Sequence, residues 1–134
     1  MNREKRYEIA SRALEESIEE NSKGKVILVE GKRDEQALRI LGFSGPIEKL
    51  NRGWSIERVI AFIAEQYGSC IVLMDWDRTG GRLQRKLMES MISLDLQPSD
   101  ELRQVLSKAM KPDTRCVEDP VSYTHLTLPT ICSV

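Results

Sequence analysis

The sequence predicts an α/β fold with a mainly parallel sheet flanked by helices. Three observations carry that reading. The apolar runs "KVILVE" and "CIVLMD" are short, rich in β-branched residues and lack alternation, as strands covered on both faces do. Each is followed by a glycine-bearing turn and a helical pattern, and the order strand, short loop, helix recurs along the chain. With 134 residues there is room for one domain with a modest core, and not for two. Crossovers between such strands are expected to be right-handed.

Residues 1–24 read as an N-terminal amphipathic helix. Ile9, Ala10, Ala13, Leu14 and Ile18 make its apolar stripe, and Asn21, Ser22 and Gly24 signal its end. Residues 25–119 form the predicted domain. Lys25 to Glu30 is a buried strand broken by Gly31. "DEQALRILG" supplies a helix with Ala37, Leu38 and Leu41 facing inward and Asp34 as candidate cap. "PIEKLN" is a weaker strand. "SIERVIAFIAEQYG" is a stronger helix, with Ser55 as cap and Ile56, Val59, Ile60 and Ile63 on one broad face. After "CIVLMD", Thr79, Gly80 and Gly81 open a turn into a helix from about Gly81 to Leu94, using Leu83, Leu87 and Met91. Pro98 separates it from a further helical pattern beginning at Ser99, with Glu101 near its first turn. Lys111 to Asp113 form a turn before "TRCVED", a final strand.

Residues 120–134, "PVSYTHLTLPTICSV", change character: they contain no Lys, Arg, Asp or Glu. The segment "VSYTHLTLP" resembles a translated sequencing-adapter read-through, so this tail is expected to be non-native. His125, the single histidine, falls within it and is a poor basis for catalysis.

Twenty basic residues face 21 acidic ones, so net charge gives no global argument for a polyanion partner, though a local positive patch is compatible with it. Cys70, Cys116 and Cys132 are an odd number without metal-ligand spacing, as expected of incidental thiols in a reducing compartment. No apolar run approaches membrane-spanning length and the charged N-terminus lacks a secretory segment, so the expected location is cytoplasmic, with no membrane partner.

Two strand ends carry acids, Glu30 after "KVILV" and Asp75 with Asp77 after "CIVLM". In a parallel sheet the carboxyl ends share one edge, where open α/β sheets bind ligands. Three carboxylates meeting there without a cation would repel one another and be costly to desolvate. Mg²⁺, a hard ion that keeps water or phosphate ligands in an open site, reconciles the grouping, and Mn²⁺ is its natural substitute. That favours metal-assisted phosphate chemistry over sugar acid/base chemistry. Gly31 and Gly80 are candidates for close backbone approaches at this edge, and Gly81 for easing helix entry. Lys32, Arg33 and Arg78 are candidates for phosphate contact, with a solvated surface role equally compatible. "EGKRD" is not a Walker A loop, because the glycine-rich spacing and the following hydroxyl are missing.

"VILVEGKRDEQALRILG" followed by "CIVLMDWDRTGGRL" resembles a TOPRIM domain over about residues 25–119, and is similar to the small stand-alone archaeal-type TOPRIM proteins. The resemblance implies a compact Rossmann-like domain in which Glu30, Asp75 and Asp77 bind Mg²⁺ and act catalytically on RNA or DNA phosphodiesters. It implies Glu30 as general acid/base with metal contact, and Asp75 and Asp77 as the stronger metal ligands. A nuclease or RNA-processing activity is the first expectation. Primase-like nucleotidyl transfer and a non-catalytic nucleic-acid-binding accessory role, with a protein partner in processing, are the alternatives. "DWDRT" also resembles the first motif of haloacid-dehalogenase-like phosphatases, with Asp75 as nucleophile and Asp77 as acid/base. That motif usually begins the first strand of its fold, whereas here a strand ending in Glu30 precedes it. Neither oligomeric state nor the choice of RNA or DNA is legible.

Tyr7, Trp54, Tyr67 and Trp76 form no base-stacking pattern and read as core or half-buried. Arg52 and Trp54 in "NRGWS" fit a nucleic-acid groove or a loop bracing the next helix. Glu118 and Asp119 end the last expected strand as a turn or edge charge, with an auxiliary acidic role as the lesser reading.

Overall fold

The computed structural model describes residues 2–110. The chain runs α1 (Arg3–Ser22), β1 (Val26–Val29), α2 (Lys32–Leu41), β2 (Ile47–Lys49), α3 (Ile56–Gln66), β3 (Ser69–Val72), α4 (Arg78–Ser93), β4 (Gln97–Ser99) and α5 (Glu101–Met110). The four strands make one all-parallel, Rossmann-like sheet in the order β2-β1-β3-β4. Among the described residues no helix is long and apolar enough to cross a membrane.

Alternation along the strands divides the core into two layers. Ile27, Val29, Ile71 and Leu73 face one side, packing with Leu14 of α1, Leu38 of α2 and Leu106 of α5. Val26, Leu28, Cys70, Val72 and Met74 face the other, against Val59, Ile60 and Ile63 of α3 and Leu87 and Met91 of α4. Sheet order then fixes where a site can form. The chain moves from β1 outward to β2, returns past β1 to β3 and continues to β4, so β1 and β3 flank the point where winding reverses. Their carboxyl ends splay there, and ligands of open α/β sheets bind in such a crevice.

The structure revises several local expectations. The buried face of α1 consists of Tyr7, Ala10, Ser11, Leu14, Ser17 and Asn21, while Ile9 is 37% exposed and Ala13 and Ile18 are half-buried. Hydropathy misplaced the stripe because the helix is seated by a polar anchor. Asn21 donates to the Lys25 and Pro46 carbonyls at 2.9 Å each and accepts from the Gly45 N–H at 2.8 Å. Gly31, not Asp34, caps α2; Asp34 sits in the first turn and its carboxylate accepts from the Gly31 N–H at 2.9 Å. Helix α4 starts at Arg78, ahead of the expected Gly81, because Asp77 caps it. Around Pro98, expected only as a separator, lies the edge strand β4. An edge is where a sheet tolerates proline's missing N–H. The Lys111–Asp113 turn, the "TRCVED" strand, Cys116, Glu118, Asp119, the adapter-like tail and His125 lie outside the described residues.

Candidate functional site

Site geometry follows from strand register. Leu28 pairs with Val72, so extending the ladder by two places sets Glu30 opposite Met74, one residue before Asp75. The two side chains meet in a hydrogen bond, which two carboxyl groups can make only by sharing a proton. Burial is the main reason Glu30 holds it, followed by this bond and by the negative charges of Asp75, Asp34 and Asp77; together they push its pKa up to about 8. Glu30 and Asp75 are both half-buried.

Asp77 lies close enough to raise the Glu30 pKa, yet it is exposed and its Oδ1 accepts from the Gly80 N–H at 2.7 Å as the cap of α4. Trp76, between the two aspartates, is buried in the core beneath. Thus Glu30 and Asp75 are brought together, while Asp77 stands beside them with one oxygen committed to the helix. Among the described residues no group of three His, Cys, Asp or Glu side chains stands ready-made around a metal position.

The backbone under Asp75 is held from several sides. The Leu73 N–H donates to the Leu28 carbonyl at 2.9 Å, continuing the ladder with β1. On the β4 side, where the three-residue edge strand has ended, Gln84 takes over. Its Oε1 accepts from the Met74 N–H at 3.0 Å, and its Nε2 donates to the Val72 carbonyl at 2.7 Å and to Asp100 Oδ1 at 2.6 Å. Arg103 of α5 donates through Nη2 to the Asp75 carbonyl at 2.9 Å and through Nε to the Met74 carbonyl at 3.2 Å. Gly80 packs against the same carbonyl: a Cβ there would stand 1.9 Å from the Asp75 oxygen. Around Gly31 there is no such closeness, since a Cβ would meet only Asp34 Oδ2, at 4.0 Å. Gly81 would meet Arg103 Nη2 at 3.4 Å.

Lys32 and Arg33 are exposed in the first turn of α2, and Arg78 is exposed in the first turn of α4. Arg52 braces its own loop, donating to the Lys49 carbonyl and pairing with Glu48, while its guanidinium lies 5.0 Å from the Trp54 ring centre. Cys70 is buried, and burial pushes its thiol up to about 12, which removes it as a nucleophile at neutral pH. Sequence reasoning missed Gln84 and Arg103. Gln84 had a signal: it shares the inward face of α4 with Leu87 and Met91. A polar residue at that position must find buried partners. Arg103 had none, because a charged residue on an amphipathic helix ordinarily faces water.

Over 93 residues the chain is 41% identical to the UPF0292 protein of Thermococcus onnurineus, a match spanning 69% of this chain and 68% of that one. The chain belongs to the UPF0292 family. The UPF0292 protein of Methanosarcina barkeri is 34% identical over 119 residues, covering 89% of this chain and 82% of its own. A solved structure of an Aquifex aeolicus protein superposes with a TM-score of 0.67 at 27% identity, covering 81% of this chain and 94% of that one. No family model matches the chain. UPF0292 membership corrects the TOPRIM assignment drawn from two motifs, since these relatives bear the UPF0292 name and none is named TOPRIM. The motifs misled for a physical reason. Acids and glycines at the carboxyl ends of two apolar strands suit any open parallel sheet with a polar site at its switch point, whereas identity over most of the chain identifies a family.

Proposed function

We propose that this protein carries out Mg²⁺-dependent chemistry on nucleic-acid phosphodiesters, as a nuclease or RNA-processing enzyme of the cytoplasm. The observation that supports it most is the meeting of the Glu30 and Asp75 side chains, with Asp77 beside them, at the sheet's switch point. The donor set fits the ion: every candidate ligand is a hard carboxylate oxygen, and Mg²⁺ needs only one or two protein carboxylates beside water and substrate phosphate. Asp75 would hold it, joined by Asp77 once that side chain leaves the Gly80 N–H. When bound, the cation would polarise a phosphoryl oxygen and offset developing charge. Glu30 keeps a proton through neutral pH and can pass it to a leaving oxygen. Arg103, by fixing the Asp75 carbonyl, orients the acid without touching substrate.

The test is an assay of purified protein on structured RNA, single- and double-stranded DNA, and primer-template with nucleotides, with and without Mg²⁺, beside calorimetric Mg²⁺ titration. Asp75→Asn and Asp77→Asn should weaken Mg²⁺ binding; asparagine caps a helix as well as aspartate does, so the second change leaves α4 in place. Glu30→Gln should retain more binding and lose turnover. New termini support the proposal. Nucleotide incorporation would replace it with nucleotidyl transfer, and binding indifferent to all three changes without turnover would replace it with an accessory binding role. Hydrolysis of small phosphomonoesters alone would select a phosphatase.

A further inference from the structure

Helix α4 carries Arg78, Arg82, Arg85 and Lys86 against a single acid, Glu89. Arg78, Arg82 and Arg85 line a groove of about 530 Å³ between α4 and α5, and Arg103 reaches its wall from α5. All three α4 arginines are exposed, and among the described residues none of them makes an ion pair. Several basic side chains elsewhere are paired, among them Arg12 with Glu8, Lys23 with Glu19, Lys49 with Glu35 and Arg52 with Glu48. Arg78 stands in the first turn of α4, directly after the capping Asp77. The Asp77 carboxylate at the cap answers the helix end itself, accepting from the Gly80 N–H, so the surplus positive charge of the groove comes from the three guanidinium groups along α4.

We infer that this groove is the track for the phosphate backbone of a nucleic acid, with Arg82 and Arg85 as contacts that hold the strand beside the acid pair. Arg78, Arg82 and Arg85 lie about 6 Å and about 10 Å apart along the axis, counted from Arg78, a reach suited to successive phosphates rather than to one isolated anion. The groove begins at the acids, because Arg78 follows Asp77 directly and Arg103 holds the Asp75 carbonyl. A strand lying along it would run into the crevice between β1 and β3. Planar guanidinium groups suit bidentate contact with phosphate oxygens. The assignment takes its ligand class from the phosphodiester reading, but binding in this groove requires neither metal nor turnover.

The experiment measures fluorescence anisotropy of labelled single-stranded RNA and DNA oligonucleotides with the full chain in EDTA, across a salt series. Arg82→Ala with Arg85→Ala should weaken binding at least tenfold and flatten the slope of log affinity against log salt by about 1.4, two phosphate contacts' worth for a single strand. Arg12→Ala with Lys23→Ala, which removes the same charge from exposed positions of α1, should leave both within twofold. Charge reversal at Arg82 and Arg85 should abolish binding. Equal losses in the α1 and α4 variants, no binding by the parent chain, or equal affinity for polyglutamate would overturn the inference. If oligonucleotides bind in EDTA and depend on Arg82 and Arg85 while no substrate is turned over, the groove stands and the catalytic reading fails. Turnover with affinity indifferent to both arginines is the reverse case.

Discussion

Replacing Gly80 by alanine sets a side-chain carbon against backbone rather than against a movable side chain. The new Cβ would stand 1.9 Å from the Asp75 carbonyl oxygen, 2.7 Å from its carbon and 3.1 Å from its Cα. The carbonyl would have to retreat by more than 1 Å to restore ordinary contact, and Arg103 Nη2 holds that same oxygen at 2.9 Å. Overpacking of this kind costs roughly 2–4 kcal/mol, offset by up to about 1 kcal/mol of helix propensity. The net loss should be about 2 kcal/mol, which for a domain of this size lowers Tm by roughly 10 °C. Gly81→Ala is the internal control: its Cβ would meet only the far end of the Arg103 side chain, at 3.4 Å, and the variant should match the parent or melt slightly higher. Urea and thermal melts of both variants, followed by Mg²⁺ titration, make the comparison, and Gly80→Ala should also bind Mg²⁺ more weakly because the Asp75 backbone has moved. A Gly80→Ala protein as stable as Gly81→Ala would refute the close approach and the account of the site built on it.

The raised pKa of Glu30 makes stability depend on pH. Since its folded value of about 8 lies above the ordinary 4.5, the contribution is complete below about pH 4.5 and is lost as pH climbs through 8. Allowing for partial exposure, roughly 2 kcal/mol should disappear over that range, and Glu30→Gln should flatten the pH profile of Tm; an unchanged profile in that variant would contradict the shared proton. Gln84→Leu leaves the Met74 N–H and the Val72 carbonyl buried without this partner, so urea denaturation should show a loss of roughly 2–4 kcal/mol, and a neutral result would deny its ladder role. Asn21→Ala removes three hydrogen bonds that seat α1, far from the acids in the fold. It should cost about 2 kcal/mol in the same melts while leaving Mg²⁺ affinity as in the parent, and a change in affinity would show that α1 reaches the site.

What could be read from sequence follows from which interactions leave a pattern. The runs ending at Glu30 and Asp75 declare buried parallel strands because both faces must be apolar, and from that the alternation of strands and helices follows. Eight of the nine elements were anticipated in order, with α1, α2 and α3 close to their observed bounds. The edge strand β4 left no such mark: three residues with a proline at the centre look like a break, and only the neighbouring β3 makes them a strand. Helix α4 began early because Asp77 spends an oxygen on Gly80, a capping role that competes with the ligand role read from "DWD". At the site, the acids were legible from their position at strand ends, and their supports were not. Gln84 and Arg103 act through backbone atoms of another element, and no spacing within one segment encodes such a contact.

Those supports decide how the acids can behave. The end of β3 is tied to β1 through Leu73, completed by Gln84 where β4 stops, and held by Arg103 and Gly80 at the Asp75 carbonyl. With the main chain fixed on every side, the freedom left at Asp75 is rotation of its own side chain, and the same holds for Glu30, whose carbonyl accepts from the Asn51 N–H at 2.9 Å. Two carboxyl groups on so rigid a base cannot relax apart by moving the backbone. Their repulsion must be met by a proton or a cation, and the raised pKa of Glu30 records the first of these. On the proposed reading, a cation entering the crevice would compete with that proton, so Mg²⁺ affinity should rise as pH climbs through the Glu30 pKa, and a Mg²⁺ titration repeated across that range would refute the link if affinity stayed constant.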